Sequence, residues 1–402
     1  MAGKKPYYTS DDLIAAVQRS INIPLYQLTY TDEDILAFAT EELFLAQVPS
    51  IMQFHEEYFV YEQEVTLVAS KSKYPIPSRA IGMKLRDVFF KDANDNLIEM
   101  NKVNPDDKAH FQDKGSSSSE PVHYYLQNNS IVLVPDVSAN VTGSLVYTYY
   151  LRPNSLVKNE RAVICESFSK NITITNGSIV AGDTITIGSY VLEADSDFAI
   201  GGNASVTGTN IVSAIAALAD IDLSATSSSG VVIVTYQDRD LTFSTSNSTA
   251  FAISASTTIN SSQALPSDMV DGMYVDFLQT EGGHNTYSMD VRLTSGSVAA
   301  DSITILDTSI PEDFVVGDYV CLAGESIIPQ VPTDLHVLLA ERTCARILSA
   351  QGDQAGLQNS NTKIQDYEQR QASVIDSRVD GSPTKVFNRH SLLRYGKSRR
   401  NI

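Results

Sequence analysis

A chain of 402 residues with an ordinary apolar fraction of 43% can form two or three domains with a sizeable core, and no apolar run reaches the expected length of a membrane span. Three widely spaced cysteines argue against a disulfide framework, and the polar amino terminus does not predict secretion by a signal peptide. The net charge of −19 argues against a general nucleic-acid binder, which needs a basic face.

The first predicted elements are two helices, which assign residues 1–60 to an amino-terminal helical segment. Ser10-Asp11-Asp12 is a favourable cap for the first helix, whose apolar residues share one face. Thr31-Asp32-Glu33-Asp34 is a capping pattern ahead of the second helix, with acids at the positive end of the helix dipole. Pro49 is expected to kink or end that second helix.

From Glu64 the apolar residues alternate with a period of two, which predicts strands and a β domain over residues 61–170. A Ser/Thr/Asn-rich tract, 171–264, is then interpreted as an inserted α+β module. In this module, Thr209 is expected to cap a short helix, and residues 231–236 and 241–244 are expected to form a hairpin. Strands at 265–330 are expected to return to the core.

Helices are predicted again over residues 331–380. Pro332-Thr333-Asp334 is expected to cap the first of them, which ends at Gly352, and a surface helix follows as far as about Ile375. Asp380-Gly381-Ser-Pro383 breaks the helical pattern. The sequence alone therefore predicts helices at both ends of the chain and strands between them.

Charge is distributed unevenly along the chain. Residues 171–330 hold 19 acids against two bases, Arg239 and Arg292. Residues 381–402, here called the basic arm, hold six bases and no acid. A segment with so few apolar residues cannot fold alone, so we expect it to become ordered on a partner.

Several stretches resemble the head-to-tail adaptor, or connector, proteins of tailed bacteriophages. They cover most of residues 10–170 and 265–395. The matching stretches are Thr31-Asp-Glu-Asp-Ile-Leu-Ala-Phe-Ala, Glu56-Glu-Tyr-Phe, Tyr74-Pro-Ile-Pro-Ser-Arg-Ala-Ile-Gly-Met-Lys-Leu-Arg-Asp-Val, Tyr149-Tyr-Leu-Arg-Pro-Asn, Val316-Gly-Asp-Tyr-Val-Cys-Leu-Ala-Gly-Glu-Ser and Arg378-Val-Asp-Gly-Ser-Pro.

The resemblance implies a helical bundle built from the amino- and carboxy-terminal helices with an attached β domain. With the inserted β-rich module that the residues predict, the expected fold class is α+β. It also implies a structural virion protein at the head–tail interface, assembled in the cytoplasm of a host bacterium. Such a protein would form a ring, commonly of twelve copies, that contacts the portal, a tail or next-ring protein, and DNA passing through without sequence-specific binding. The inserted module lies outside the usual adaptor pattern.

In these adaptors the carboxy-terminal segment reaches the portal, so the resemblance assigns portal binding to the basic arm. A solubilising tail or a contact with DNA phosphates is the alternative for this segment. The residues predicted to bind the portal are Lys385, Phe387, Arg389, Leu392, Leu393, Arg394, Tyr395, Lys397, Arg399 and Arg400.

Other interpretations concern the middle of the chain. Its acids could keep DNA from adhering to a conduit or could serve solubility alone. Tyrosines at 124, 125, 147, 149 and 150 could stack on sugars or bases or could be sheet surface. The inserted module could instead be a tail-associated adhesin.

The sequence predicts no enzyme, cofactor or metal site. The six histidines lack the spacing of metal ligands, and no nucleophile elbow, phosphate loop or cysteine pair is present. Asp195-Ser-Asp197 and Asp238-Arg-Asp240 lack the remaining ligands of a calcium loop and are interpreted as turn carboxylates.

Overall fold

The structure is a computed structural model that describes residues 8–21, 30–54, 56–107, 123–134, 142–218, 222–280 and 286–374. Within these ranges the chain forms five helices and 22 strands. The helices are α1 (Ser10–Ile21), α2 (Asp32–Glu42, continued through a π turn at Leu43–Gln47 into Val48–Phe54), α3 (Ala204–Ala216), α4 (His336–Gln351) and α5 (Gln354–Val374).

The strands form six sheets. They are β1 (Val60–Thr66), β2 (Lys73–Pro75), β3 (Ala80–Asp92), β4 (Leu97–Glu99), β5 (Asn101–Lys102), β6 (His123–Leu126), β7 (Ser130–Val134), β8 (Gly143–Leu151), β9 (Ser155–Leu156), β10 (Val163–Ile164), β11 (Ser167–Ile174), β12 (Thr184–Ile187), β13 (Tyr190–Glu193), β14 (Leu223–Ser228), β15 (Val231–Tyr236), β16 (Phe243–Thr245), β17 (Phe251–Asn260), β18 (Tyr274–Leu278), β19 (Thr286–Arg292), β20 (Ser302–Leu306), β21 (Tyr319–Leu322) and β22 (Glu325–Ser326).

The predicted fold class, a helical bundle with an attached β domain and an inserted module, is wrong. The described residues are mostly β-sheet, and the helices are the smaller part of the fold. Many strands are only two to five residues long, which is too short for a period of two to be recognised in sequence. The longer helical patterns at both ends of the chain are therefore easier to recognise in the sequence than the short strands between them.

Helices α1, α2 and α4 pack around one of several separate hydrophobic cores. Leu13, Ile35 and Leu339 are fully buried in it. Arg346 of α4 pairs with both Glu41 and Glu42 of α2, which ties the two helices together at the surface. The helices from opposite ends of the chain are thus joined by both apolar packing and ion pairs.

Helix α2 passes through Pro49 and does not end there. The N–H of Val48 donates to the carbonyl of Leu43, five residues back, so the π turn lies immediately before the proline. This local rearrangement accommodates a residue that cannot donate a hydrogen bond inside a helix.

By length and composition the Asp32–Phe54 helix could cross a membrane, but a buried core helix meets the same test, and this one packs against α1 and α4.

Of the three helix caps predicted near the two ends of the chain, one is confirmed and two differ from the structure. The Thr31–Asp34 capping box is present at α2, as predicted. At α1 the capping side chain belongs to Thr9, whose hydroxyl oxygen accepts from the N–H of Asp12 at 3.4 Å, while the N–H of Thr9 donates to the Asp12 carboxylate. The start of α4 has no side-chain cap, and a short 3₁₀ turn at Thr333–Leu335 precedes it.

Four strands in the order β1-β8-β3-β4 form one antiparallel sheet, and four in the order β10-β21-β18-β19 form another. Strand β3 contains an irregularity between Ala80 and Leu85 in which Gly82 and Met83 both adopt positive φ angles, 61° and 53°. Glycine has no side chain and adopts a positive φ angle at little cost, which explains Gly82 in the adaptor-like motif that begins at Tyr74.

The largest core surrounds a five-stranded sheet in the order β14-β15-β11-β17-β20. Strands β11 and β20 extend this sheet outside the predicted module, 171–264, so residues from both flanks complete it. The proposed division of the chain into domains stays a prediction.

The hairpin predicted inside the module is wrong. Strand β15 pairs with β11 and β14, whereas β16 pairs with β12 in a different sheet. The helix predicted to begin after Thr209 begins instead at Ala204, with Asn203 as its cap. The hairpin is wrong because segments that are neighbours in sequence pair with different strands, and the helix begins earlier because the side chain of Asn203 accepts from the N–H of Val206.

Candidate functional site

The predicted portal-binding residues, Lys385 to Arg400, lie outside the described residues. The adaptor-like motifs of the described residues meet at another place in the fold. Three of these motifs converge on one carboxylate that the sequence did not single out, Asp276 of β18.

Asp276 is completely buried and accepts five hydrogen bonds, four of which come from three motif residues. Arg79 binds it through two nitrogens, at 2.6 Å from Oδ2 and 3.1 Å from Oδ1. The side-chain amide of Asn154 and the backbone N–H of Gly324 donate to Oδ2 at 3.0 Å and 2.9 Å. The N–H of Asp290 donates to Oδ1 at 3.0 Å. We call this arrangement the Asp276 junction.

A β-bulge places Asp290 at this junction. Two residues of β19, Met289 and Asp290, oppose the single residue Asp276 of β18, and Asp290 has a φ of 56°. The bulge directs the Asp290 carboxylate to Arg79, at 2.8 Å. Burial alone would lower the pKa of Arg79, but hydrogen bonding and charge from Asp276, with the charge of Asp290, raise it above its usual value.

The Asp276 junction holds separate layers of the fold together. Arg79 lies immediately before β3, Asp276 lies in a second sheet, and Asn154 lies immediately before β9. A bidentate guanidinium–carboxylate pair fixes orientation as well as distance. The junction therefore sets how the β1-β8-β3-β4 sheet meets the β10-β21-β18-β19 sheet.

A second ion-pair group lies near the first. Arg161 binds Glu325 through two nitrogens, at 2.7 Å and 3.0 Å, and also contacts Asp268 at 2.7 Å. Its hydrogen bond lowers the pKa of Asp268. Glu325 belongs to the same adaptor-like motif as Gly324, so this motif contributes to both groups.

A cleft of about 570 Å³ opens beside the Asp276 junction. Residues 61–65 of β1 and 288–290 of β19 line it as consecutive runs, together with Tyr149 and Arg79. Side chains of a strand alternate between its two faces, so a cleft on one face would be lined by every second residue. Consecutive residues line this cleft because it opens at the edge of each strand. Both strands are the outer members of their sheets. We call this opening the edge cleft.

The tyrosines considered as a stacking platform do not form one. Tyr125, Tyr147, Tyr149 and Tyr150 are buried, with 7% exposure or less, and Tyr124 is half-buried. Burial raises the pKa of Tyr147 and Tyr149, which is the expected result for phenols inside a sheet core. The five tyrosines lie in strands β6 and β8, as predicted, but only Tyr124 is half-buried as expected of sheet surface, and the other four are buried.

The carboxylates considered for calcium bind backbone N–H groups instead. Asp197 accepts from Glu193 at 2.8 Å, and Asp238 accepts from Asp240 at 3.1 Å. Among the described residues, no group of three or more His, Cys, Asp or Glu side chains could hold a metal ion. The three cysteines are buried, and burial raises the pKa of Cys165 to about 12, which does not suit a nucleophile.

His336 gives a testable pH dependence. Its Nε2 lies 3.1 Å from the carbonyl oxygens of both Pro329 and Val331, and burial lowers its pKa. The unfolded chain therefore binds this proton more readily, so the stability contributed by neutral His336 is complete above about pH 6.5 and is lost as the pH falls toward the lower folded pKa.

We expect the free energy of unfolding to fall more steeply in the native protein than in His336→Gln between about pH 7.5 and about pH 5.5, by at most about 1.4 kcal/mol per pH unit. Denaturant titrations at several pH values measure this difference. Equal slopes for the two proteins would show that His336 does not titrate on unfolding.

Comparison with known proteins gives three findings. Residues 8–165 match the family model described as SU10 adaptor protein. No curated protein matches the chain. A solved structure from Mycobacterium phage Patience aligns over 62% of this chain and 98% of that chain at 8% identity, with a TM-score of 0.18, a likeness too slight to support an argument about the fold.

The matched region includes α1, α2 and the strands from β1 to β10, and it contains both Arg79 and Asn154 of the Asp276 junction. The resemblance stated from the sequence motifs is therefore confirmed. Over residues 8–165 this chain is similar to the phage SU10 adaptor proteins, a similarity that implies a structural role in a virion.

Proposed function

We propose that this protein is a head-to-tail adaptor that forms a ring, of about twelve copies, beneath the portal of a tailed phage and joins the capsid to the tail. The observation that carries this proposal is the SU10 adaptor match over residues 8–165. The Asp276 junction supports the proposal, because Arg79 and Asn154, which belong to the adaptor-like motifs, both bind Asp276 and so set the relative placement of two sheets.

A closed ring needs a heterologous contact, in which two unlike surfaces of each copy meet. The helical core and the sheets supply such unlike surfaces. Leu45 on the π turn is 72% exposed and Phe54 is 51% exposed, so the outer face of α2 offers apolar area for a neighbouring copy. We assign this face to the contact between copies.

The acidic residues 171–330 suit a protein that surrounds DNA without binding it. Bases neutralise phosphates and release counterions, and this region has only two of them. DNA would therefore pass through the ring without sequence-specific contact. Portal binding is assigned to the basic arm, where six bases alternate with apolar side chains such as Phe387 and Tyr395.

A tail-associated adhesin is the second candidate. The module carries exposed apolar side chains at Val180, Val191 and Val206, with exposures of 63%, 55% and 46%. Such residues could contact a receptor.

Electron microscopy of the purified full-length protein, alone and mixed with a portal, tests the first proposal. We expect closed rings that stack on the portal. A monomer that ignores the portal but binds glycans or bacterial surfaces would overturn the adaptor proposal in favour of the adhesin.

A further inference from the structure

We propose that the edge cleft binds the basic arm of the same chain as an added extended strand. The proposal concerns an intramolecular docking site, and it rests on the proposed function only in that the portal would compete for the same segment. Four features support it: the open edge of β1, the charge of the cleft, its aromatic wall and the length of the tether.

Strand β1 has an open edge. Among the described residues it pairs only with β8, and the N–H of Leu67 donates to the carbonyl of Gly143 just beyond the pair. Hydrogen-bonded pairs recur at every second residue of an antiparallel ladder, so Val65, Gln63 and Tyr61 also bond to β8. The backbone groups of Glu62 and Glu64 therefore point away from the sheet and are available to another strand.

Charge in the edge cleft is negative where a strand would lie. Glu62 is exposed and, within the described part of the chain, has no ion-pair partner. Glu64, which pairs with Lys91, and Asp290, which pairs with Arg79, add two further carboxylates. Arg79 is the one cation in the lining, and it is also bound by Asp276. The basic arm has six positive charges and no acid, so the two are complementary.

An aromatic wall lies within reach of the same strand. Tyr61 is half-buried and lines the cleft, and its ring lies 5.9 Å from that of Tyr149, which is itself fully buried. Tyrosine rings attract guanidinium groups and pack against other aromatic rings. The alternation of Phe387, Arg389 and Tyr395 with polar residues provides side chains of both kinds.

The tether makes the arm of the same chain the preferred occupant. Helix α5 ends at Val374, and 28 residues follow. Fully extended, they span about 90 Å, more than the diameter of roughly 55 Å expected for a compact chain of this length. Attachment to the same chain also gives a local concentration on the order of millimolar, well above that of a separate copy in dilute solution.

Photo-cross-linking of the full-length protein tests the proposal. We would place benzoylphenylalanine at Phe387 and identify the cross-linked peptides by mass spectrometry, using a mixture of isotopically light and heavy protein. The expected products join the arm to residues 60–66 or 286–292 and contain only light–light or heavy–heavy pairs.

Two substitutions of Glu62 separate the contribution of its charge from that of its backbone N–H. Glu62→Lys reverses the charge, and Glu62→Pro removes the outward N–H without removing a bond to β8. Each should lower the cross-link yield at least about fivefold. Glu99→Lys, on the exposed edge strand β4 of the same sheet, is the matched control and should leave the yield unchanged.

Cross-links to other parts of the protein, only light–heavy pairs, or yields that do not respond to Glu62→Lys would each overturn the proposal. Portal binding is measured on the same proteins. Glu62→Lys should bind the portal at least as well as the native protein, because it frees the arm. If removing the arm left portal binding intact, the role assigned to the arm would fail, whereas the cross-links would still test the edge cleft.

Discussion

Replacing Asp276 with alanine is expected to lower the free energy of unfolding by about 3–5 kcal/mol. The reason is that Arg79, only 16% exposed, would keep its charge without its bidentate partner. The amide of Asn154 and the N–H of Gly324 would also lose their acceptor. Urea denaturation followed by circular dichroism measures the change.

Asp290→Ala is the control for this prediction. Asp290 also binds Arg79, but its side chain is 58% exposed, so its loss should cost about 1 kcal/mol or less. Asp276→Asn keeps the shape of the side chain, so its effect on the free energy of unfolding should lie between those of Asp276→Ala and Asp290→Ala. Similar values for Asp276→Ala and Asp290→Ala would show that the Asp276 junction does not hold the two sheets together.

Deleting residues 384–402 is expected to weaken portal binding at least about 100-fold, equivalent to about 2.7 kcal/mol, while leaving the protein folded. The deletion removes all six bases of the arm and most of its apolar residues. Long-range charge should govern the association rate, and apolar contacts should govern dissociation. Surface plasmon resonance with immobilised portal measures both rates, and circular dichroism checks the fold.

Two smaller changes serve as controls for the deletion. Arg394→Gln with Lys397→Gln should slow association and reduce its dependence on salt. Leu392→Ser with Leu393→Ser should speed dissociation instead. Unchanged portal binding by the deleted protein would contradict the assignment of the portal contact to the arm.

Elements specified by neighbouring residues could be predicted from the sequence. The capping box of Thr31 and Asp34 marks the start of α2, and Gly352 ends α4 with a φ of 78°. The alternating residues before Tyr150 correctly indicate β8. In each case a side chain and the backbone it affects lie within a few residues of each other.

Features that depend on distant residues could not be predicted. Arg79 and Asp276 are 197 positions apart, and nothing local to either indicates the other. Arg79, Asn154 and Gly324 lie within the adaptor-like motifs, but the shared partner that explains them is known only from the fold. The sheet order β14-β15-β11-β17-β20 likewise depends on pairing between remote segments, and so the fold class was missed.

The five-stranded sheet limits how this part of the protein could be exchanged between related phages. Its central strand, β11, precedes most of the module, and its outer strand, β20, follows it. A recombination event that replaced only residues 171–264 would interrupt β11 and leave β20 to pair with a foreign edge. Gene segments that encode this region would be inherited intact only when their breakpoints lie before Ser167 and after Leu306.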